Sequence, residues 1–188
     1  MKANNRCEWA QLDPLLKEYH DKEWGVPVHN ERKLFEFLIL EGAQAGLNWL
    51  IILKKRDAFR KAFAGFEPKK IARFSSADVR RLLGNKEIIR NRLKISAAVT
   101  NARQFASVKE EFGSFDDYVW QFVGGKPLQH RFGSMSSIPA RSKESDRMSG
   151  DMKRRGFKFV GSTICYAFMQ ATGMVNDHLT NCFRYSEV

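Results

Sequence analysis

Cysteine is scarce in this chain, with three residues in 188. That is too few for a disulfide scaffold, and an odd number cannot all pair within the chain. A reducing compartment or metal ligation is what remains. Long apolar runs are also missing: stretches such as Trp49–Leu53 fall far short of the roughly 20 residues that span a bilayer. Met1–Trp9, which carries Lys2, Arg6 and Glu8, has no secretory apolar region, so a cytoplasmic or nuclear location is expected. Strand-like alternation is confined to Phe157–Val160, too short and isolated to build a sheet. Acidic residues are in deficit, 21 against 32 Lys and Arg for a net charge of +11. A polyanionic partner is therefore favoured, with nucleic acid first and an anionic membrane surface second.

What is present is helical. Hydrophobic residues make up 43% and charged residues 28%, ordinary values for a globular chain of one domain. Asp13-Pro14 places a cap and a first-turn proline before a helix to about His20. Asn30 caps Glu31–Ala43, where Leu34, Phe35, Leu38 and Gly42 share a face, and Asn48 caps Trp49–Phe63, with Lys54, Lys55, Arg56 and Arg60 outside. Ser75 with Asp78 opens Ala77–Leu83. Ile95, Val99, Ala102, Phe105 and Ala106 stripe a helix to about Phe112, and Ser114 opens one through Val123. Residues 124–141, with three glycines and two prolines, read as a surface connection. Ser142 caps Lys143–Arg155, Gly156 ends it, and the apolar Thr163–Thr172 is central. The expected class is all-α.

Two constellations carry possible chemistry. Cys7 with His20 and His178 with Cys182 make a Cys₂His₂ set of the kind tetrahedral zinc prefers. The spacing is not that of a standard finger, and four unrelated residues are the bland alternative. If the set binds zinc, it leaves no open coordination position, so the metal is structural. Around Gly156 and Gly161, the run Lys153–Thr163 has the grammar of a helix-hairpin-helix element spanning about 143–172. Its exposed N–H groups favour a phosphate, with Lys153, Arg155 and Lys158 adding attraction. A basic helix end followed by a buried turn is the alternative.

Three segments make the chain recognisable: Tyr19-His20-Asp21-Lys22-Glu23-Trp24-Gly25-Val26-Pro27, Leu40-Glu41-Gly42-Ala43-Gln44-Ala45-Gly46-Leu47-Asn48-Trp49, and the long irregular run Arg155–His178. They resemble the type I 3-methyladenine DNA glycosylases, a branch of the helix-hairpin-helix glycosylases. The resemblance implies a two-lobed all-α fold with one structural zinc joining the chain termini through Cys7, His20, His178 and Cys182. It makes Glu41 the carboxylate that recognises the damaged base, with Tyr19, Trp9, Trp24, Trp49 and Leu16 at or near the base pocket. Gly46 and Leu47 match a loop that fills the gap left by an extruded nucleotide.

The implied activity is excision of 3-methyladenine from double-stranded alkylated DNA, by a monomer and without strand cleavage. Methylation at N3 makes adenine cationic, so aromatic faces and one carboxylate favour it over the normal base. The cationic base leaves readily, and Glu41 then acts by stabilising positive charge in an oxocarbenium-like transition state. Bifunctional relatives carry a Schiff-base lysine where Ser162 and Thr163 stand here. Leu16 departs from a usual aromatic, and Glu87 from a small residue. Asp177 or Asn176 falls near the catalytic aspartate of related glycosylases but is given no catalytic role. The rivals are a DNA-damage-binding module without activity and a zinc hydrolase, which the closed ligand set disfavours.

Overall fold

A computed structural model of the chain describes residues 5–188; Lys2 and the rest of the stretch before Asn5 lie outside them. The main elements are α1 (Pro14–Lys22), α2 (Glu31–Gln44), α3 (Trp49–Ala62), α4 (Pro68–Ile71), α5 (Ser76–Gly84), α6 (Arg92–Phe112), α7 (Phe115–Trp120), α8 (Lys143–Arg154) and α9 (Ser162–Ala171). Short 3₁₀ turns join several of them. The fold is all-α, and no helix among the described residues is long and apolar enough to cross a membrane.

The helix starts follow from local side-chain chemistry. Asp13, Asn30, Asn48, Ser75, Ser114 and Ser142 each accept a hydrogen bond from a first-turn backbone N–H, satisfying donors that have no partner inside the helix. Two stripes differ from expectation. In α2 every residue from Leu34 to Ala43 is buried, so the helix is enclosed on all sides and forms the centre of the molecule. In α6 Ala106 is exposed and Val108 completes the buried face.

Arg56 is not outside either. Only 11% of its side chain is exposed, and it binds Glu23 at 2.8 Å and Glu36 at 2.7 Å. Buried carboxylates need such partners, and the pairing ties α3 to α2 and to the segment after α1.

The Phe157–Val160 alternation is a turn rather than a strand, with Phe157 and Val160 buried and Phe159 at φ +54°. The strands present lie elsewhere. Leu128–Gln129 (β1) runs parallel to Val175–Asn176 (β2), so the 124–141 connection is strapped to the segment following α9. The Phe132 carbonyl extends this strap by accepting the Thr180 N–H at 2.9 Å.

Helices α8 and α9 pack against each other across the hairpin. Asn101 of α6 clamps that turn, donating to the Lys158 carbonyl at 2.9 Å and accepting the Lys158 N–H at 2.8 Å. At the far end of α9, Gly173 has φ +69°, and a Cβ there would lie 2.4 Å from the backbone of Val26 and Pro27. Only glycine lets the two segments approach this closely.

Candidate active site and metal centre

A pocket of about 540 Å³ opens between the N-terminal segment, the α2–α3 turn, α9 and the 135–140 stretch. Glu41 stands in its wall at the C-terminal end of α2, buried to 3% exposure. Its Oε2 has no hydrogen-bond partner among the described residues, and burial pushes the carboxyl up to about 8. Among the described residues no donor reaches that oxygen, and burial of this kind disfavours the charged form.

Trp9, Leu16, Tyr19, Trp24 and Trp49 line the same pocket. Tyr19 and Trp49 have ring centroids 5.4 Å apart, and Trp9 meets Trp24 edge-on at 5.2 Å. The Trp49 indole N–H is buried without an acceptor among the described residues. Burial, and then the charges of Glu41 and Glu23, hold the Tyr19 phenol well above its ordinary range. All six residues expected at a base site are thus gathered in one cavity, which offers aromatic faces around a single carboxyl group.

Cys7, His20, His178 and Cys182 meet behind this wall, all buried, with their ligand atoms within 4.8 Å of one another. The Cys182 sulfur lies 3.4 Å from His20 Nε2 and 3.6 Å from His178 Nδ1, and the Cys7 sulfur 3.8 Å from His178 Nδ1. Tetrahedral zinc, with bonds of roughly 2.0–2.3 Å, sets its ligand atoms roughly 3.3–3.8 Å apart. The donor set therefore fits a tetrahedral metal.

The remaining nitrogens fit as well. His20 Nδ1 donates to Asp21 at 2.8 Å, and His178 Nε2 donates to the Trp24 carbonyl at 3.1 Å. These bonds fix the tautomers so that both inward nitrogens carry lone pairs. The Cys182 thiol is held well below its usual range, above all by its hydrogen bond with Cys7. Trp9 packs on His20 at 5.3 Å and Trp24 on His178 at 4.6 Å, so the pocket and the metal centre share a wall.

The expected DNA-facing residues lie in two places. Gly46, at φ +74°, and Leu47 are exposed on the α2–α3 turn, between the pocket-lining Gln44 and Asn48. Gly161 caps α9 without a side-chain bond, so its first-turn N–H groups are open to an anion, and Thr163 of that turn lines the pocket. Lys153 and Lys158 are exposed and Gly156 sits at φ +90°. Arg155 is committed elsewhere: its guanidinium donates to Asp151 at 2.6 Å and Glu111 at 2.6 and 3.0 Å, and it covers the Phe112 ring. It secures the base of the hairpin rather than standing free for a phosphate.

The family model for methyladenine glycosylases matches residues 9–185. The chain belongs to the methyladenine glycosylase family. It is 48% identical over 96% of both chains to DNA-3-methyladenine glycosylase 1 of Escherichia coli strain K12. Against the DNA-3-methyladenine glycosylase of Haemophilus influenzae it is 43% identical over 94% of this chain and 96% of that one. Among solved structures, a crystal structure of 3-methyladenine DNA glycosylase I superposes with a TM-score of 0.93 at 51% identity, covering 95% of this chain and 98% of the other.

Several residues of this methyladenine glycosylase site were not legible beforehand. Lys94 of α6 donates to the carbonyls of Ala43 at 2.8 Å and Ala45 at 2.6 Å, closing the end of α2 and holding the exposed turn. Met135, Ile138, Pro139 and Ala140 form the outer pocket wall, although their segment reads as a surface connection. Tyr166 and Gln170 of α9 also line the pocket. Asp177 is buried, accepting from both of them and from His130, so it is not poised toward the cavity.

Proposed function

We propose that this methyladenine glycosylase hydrolyses the N-glycosidic bond of 3-methyladenine in double-stranded alkylated DNA, in the cytoplasm, as a monomer forming one domain. The observation that carries the reading is Glu41, a buried carboxyl with an unpartnered oxygen inside an aromatic pocket. A cationic base supplies the missing counterpart: beside its charge the Glu41 carboxyl gives up its proton to solvent and pairs as the carboxylate, while the base stacks on Trp9, Tyr19, Trp24 and Trp49. The relatives bear the name of this activity.

The base must first leave the stack, at a cost of a few kcal/mol. Leu47, held outward by the turn that Lys94 closes, fills the gap. The open N–H groups at the start of α9, with Lys158 and Lys153, take the DNA backbone beside it. As the glycosidic bond breaks, its electron pair neutralises the departing base. Positive charge passes to the sugar, Glu41 stabilises it, and water adds at C1′ while releasing a proton. No lysine stands at the start of α9, which supports a reaction without strand cleavage.

Zinc is the metal that the Cys₂His₂ set favours. With all its positions filled by protein it joins the first and last segments and takes no part in hydrolysis. The test is release of free 3-methyladenine from N-methylated duplex DNA. Release by the unsubstituted protein with a loss of at least tenfold in Glu41→Gln is expected; no release at all would favour a binding module.

A further inference from the structure

Asp177 sits directly after β2, with its side chain wholly buried. Its Oδ1 accepts His130 Nδ1–H at 2.6 Å; its Oδ2 accepts the Tyr166 hydroxyl at 2.6 Å and Gln170 Nε2 at 2.8 Å. Tyr166 and Gln170 are four apart on one face of α9, and both line the pocket, whereas Asp177 does not. A carboxylate oxygen repels a carbonyl oxygen, so the contact admits only one orientation of the Gln170 amide. Nε2 faces Asp177, which leaves Oε1 as the amide atom free to meet a ligand on a residue that lines the cavity. Oε1 has no hydrogen-bond partner among the described residues, and the Gln170 backbone is itself anchored by the Gly25 N–H at 3.0 Å.

His130 is the outer support of this arrangement. It comes from the 124–141 connection, is held in register by its own N–H donating to the Asn176 carbonyl at 3.2 Å, and leaves 28% of its side chain exposed. His130 is the donor given to Asp177 Oδ1, so its loss is expected to free the carboxylate to share Tyr166 and Gln170 between its two oxygens.

We propose that His130 and Asp177 are positioning residues that lock Gln170 with its carbonyl oxygen toward the pocket. Gln170 thereby becomes a second reader of the base, selecting a purine with an exocyclic amine over one with a carbonyl at that place. Adenine presents a donor there and guanine an acceptor. A fixed acceptor bonds the first and repels the second, and a buried mismatch of this type is penalised more than the matched bond is rewarded. The inference rests on the glycosylase reading above.

The experiment uses DNA carrying both 3-methyladenine and 3-methylguanine, with kcat and KM measured for release of each base. Zinc content and melting temperature are checked for every variant. Gln170→Leu is expected to lower the adenine-to-guanine ratio of kcat/KM about tenfold. His130→Ala moves it the same way by a smaller factor, and His130→Asn, whose amide nitrogen replaces Nδ1, restores it. An unchanged ratio in Gln170→Leu and His130→Ala overturns the proposal. So does a parallel loss of both bases that His130→Asn does not rescue, which is the signature of a merely structural role. If the unsubstituted protein releases neither base, the parent reading falls, an outcome distinct from an unchanged ratio.

Discussion

Glu41 makes stability depend on pH in a direction opposite to that of most carboxylates. In the folded protein its carboxyl holds a proton up to about pH 8, against an ordinary value of 4.5. The unfolded chain releases that proton near 4.5, so between the two values the folded state binds more protons than the unfolded one. Stability is then fully present below about 4.5 and falls as pH rises through the window up to about 8. At about 1.36 kcal/mol per pH unit the loss reaches about 3 kcal/mol by pH 7 and levels off near ~5 kcal/mol above pH 8. Glu41→Gln keeps the shape and removes the ionisation. Melting of zinc-saturated wild type and variant should therefore give nearly equal Tm values at pH 5. The variant should melt roughly 9–17 °C higher at pH 8, taking ~2–4 °C per kcal/mol for a chain of this size. Every other titrating group is common to both proteins and cancels in the difference. A difference that stays constant across this range would show that the carboxyl is solvated or paired, and the argument from its unpartnered oxygen would fail with it.

Replacing Leu47 by Ala should lower excision from duplex DNA about tenfold, since the few kcal/mol of unstacking is then less well offset. Excision from a single-stranded substrate should change little, and comparing the two rates checks the wedge. Removing the metal with a strong chelator should lower Tm by more than about 10 °C, because metal binding is here part of the folding free energy. The same treatment should change tryptophan fluorescence, because Trp9 and Trp24 rest on ligand imidazoles. Gly173→Ala places a methyl group 2.4 Å from neighbouring backbone at φ +69° and should cost about 3 kcal/mol or more, read as a lower denaturant midpoint.

Much of the helical frame was legible because it is written locally. A side-chain oxygen at Asp13, Asn30, Asn48, Ser75, Ser114 or Ser142 meets donors two or three residues on, and short-range chemistry of that kind survives in any sequence reading. The β1–β2 strap was not legible, because two-residue strands paired across nearly fifty positions have no periodicity to detect. The alternation in Phe157–Val160 reflects a turn burying both its ends. Glu41 and the aromatic residues were found through resemblance. His130 and the 135–140 wall could not be, since their segment has loop composition and only its tertiary strapping brings it to the pocket. Arg155 shows the converse: a basic residue in a phosphate-binding context whose charge is already taken by Glu111 and Asp151.

The candidate ligand set joins Cys7 to His178 across 171 positions. A ribosome making this chain holds the first half of the ligand set from the start and the second half only at the end. Trp24 therefore lacks the His178 imidazole it rests on until the chain has emerged past that residue. The nascent protein should be unable to bind a damaged base at any earlier stage. A fragment stopped short of that point cannot compete with the finished enzyme for lesions, whatever the length of helical frame it has already built.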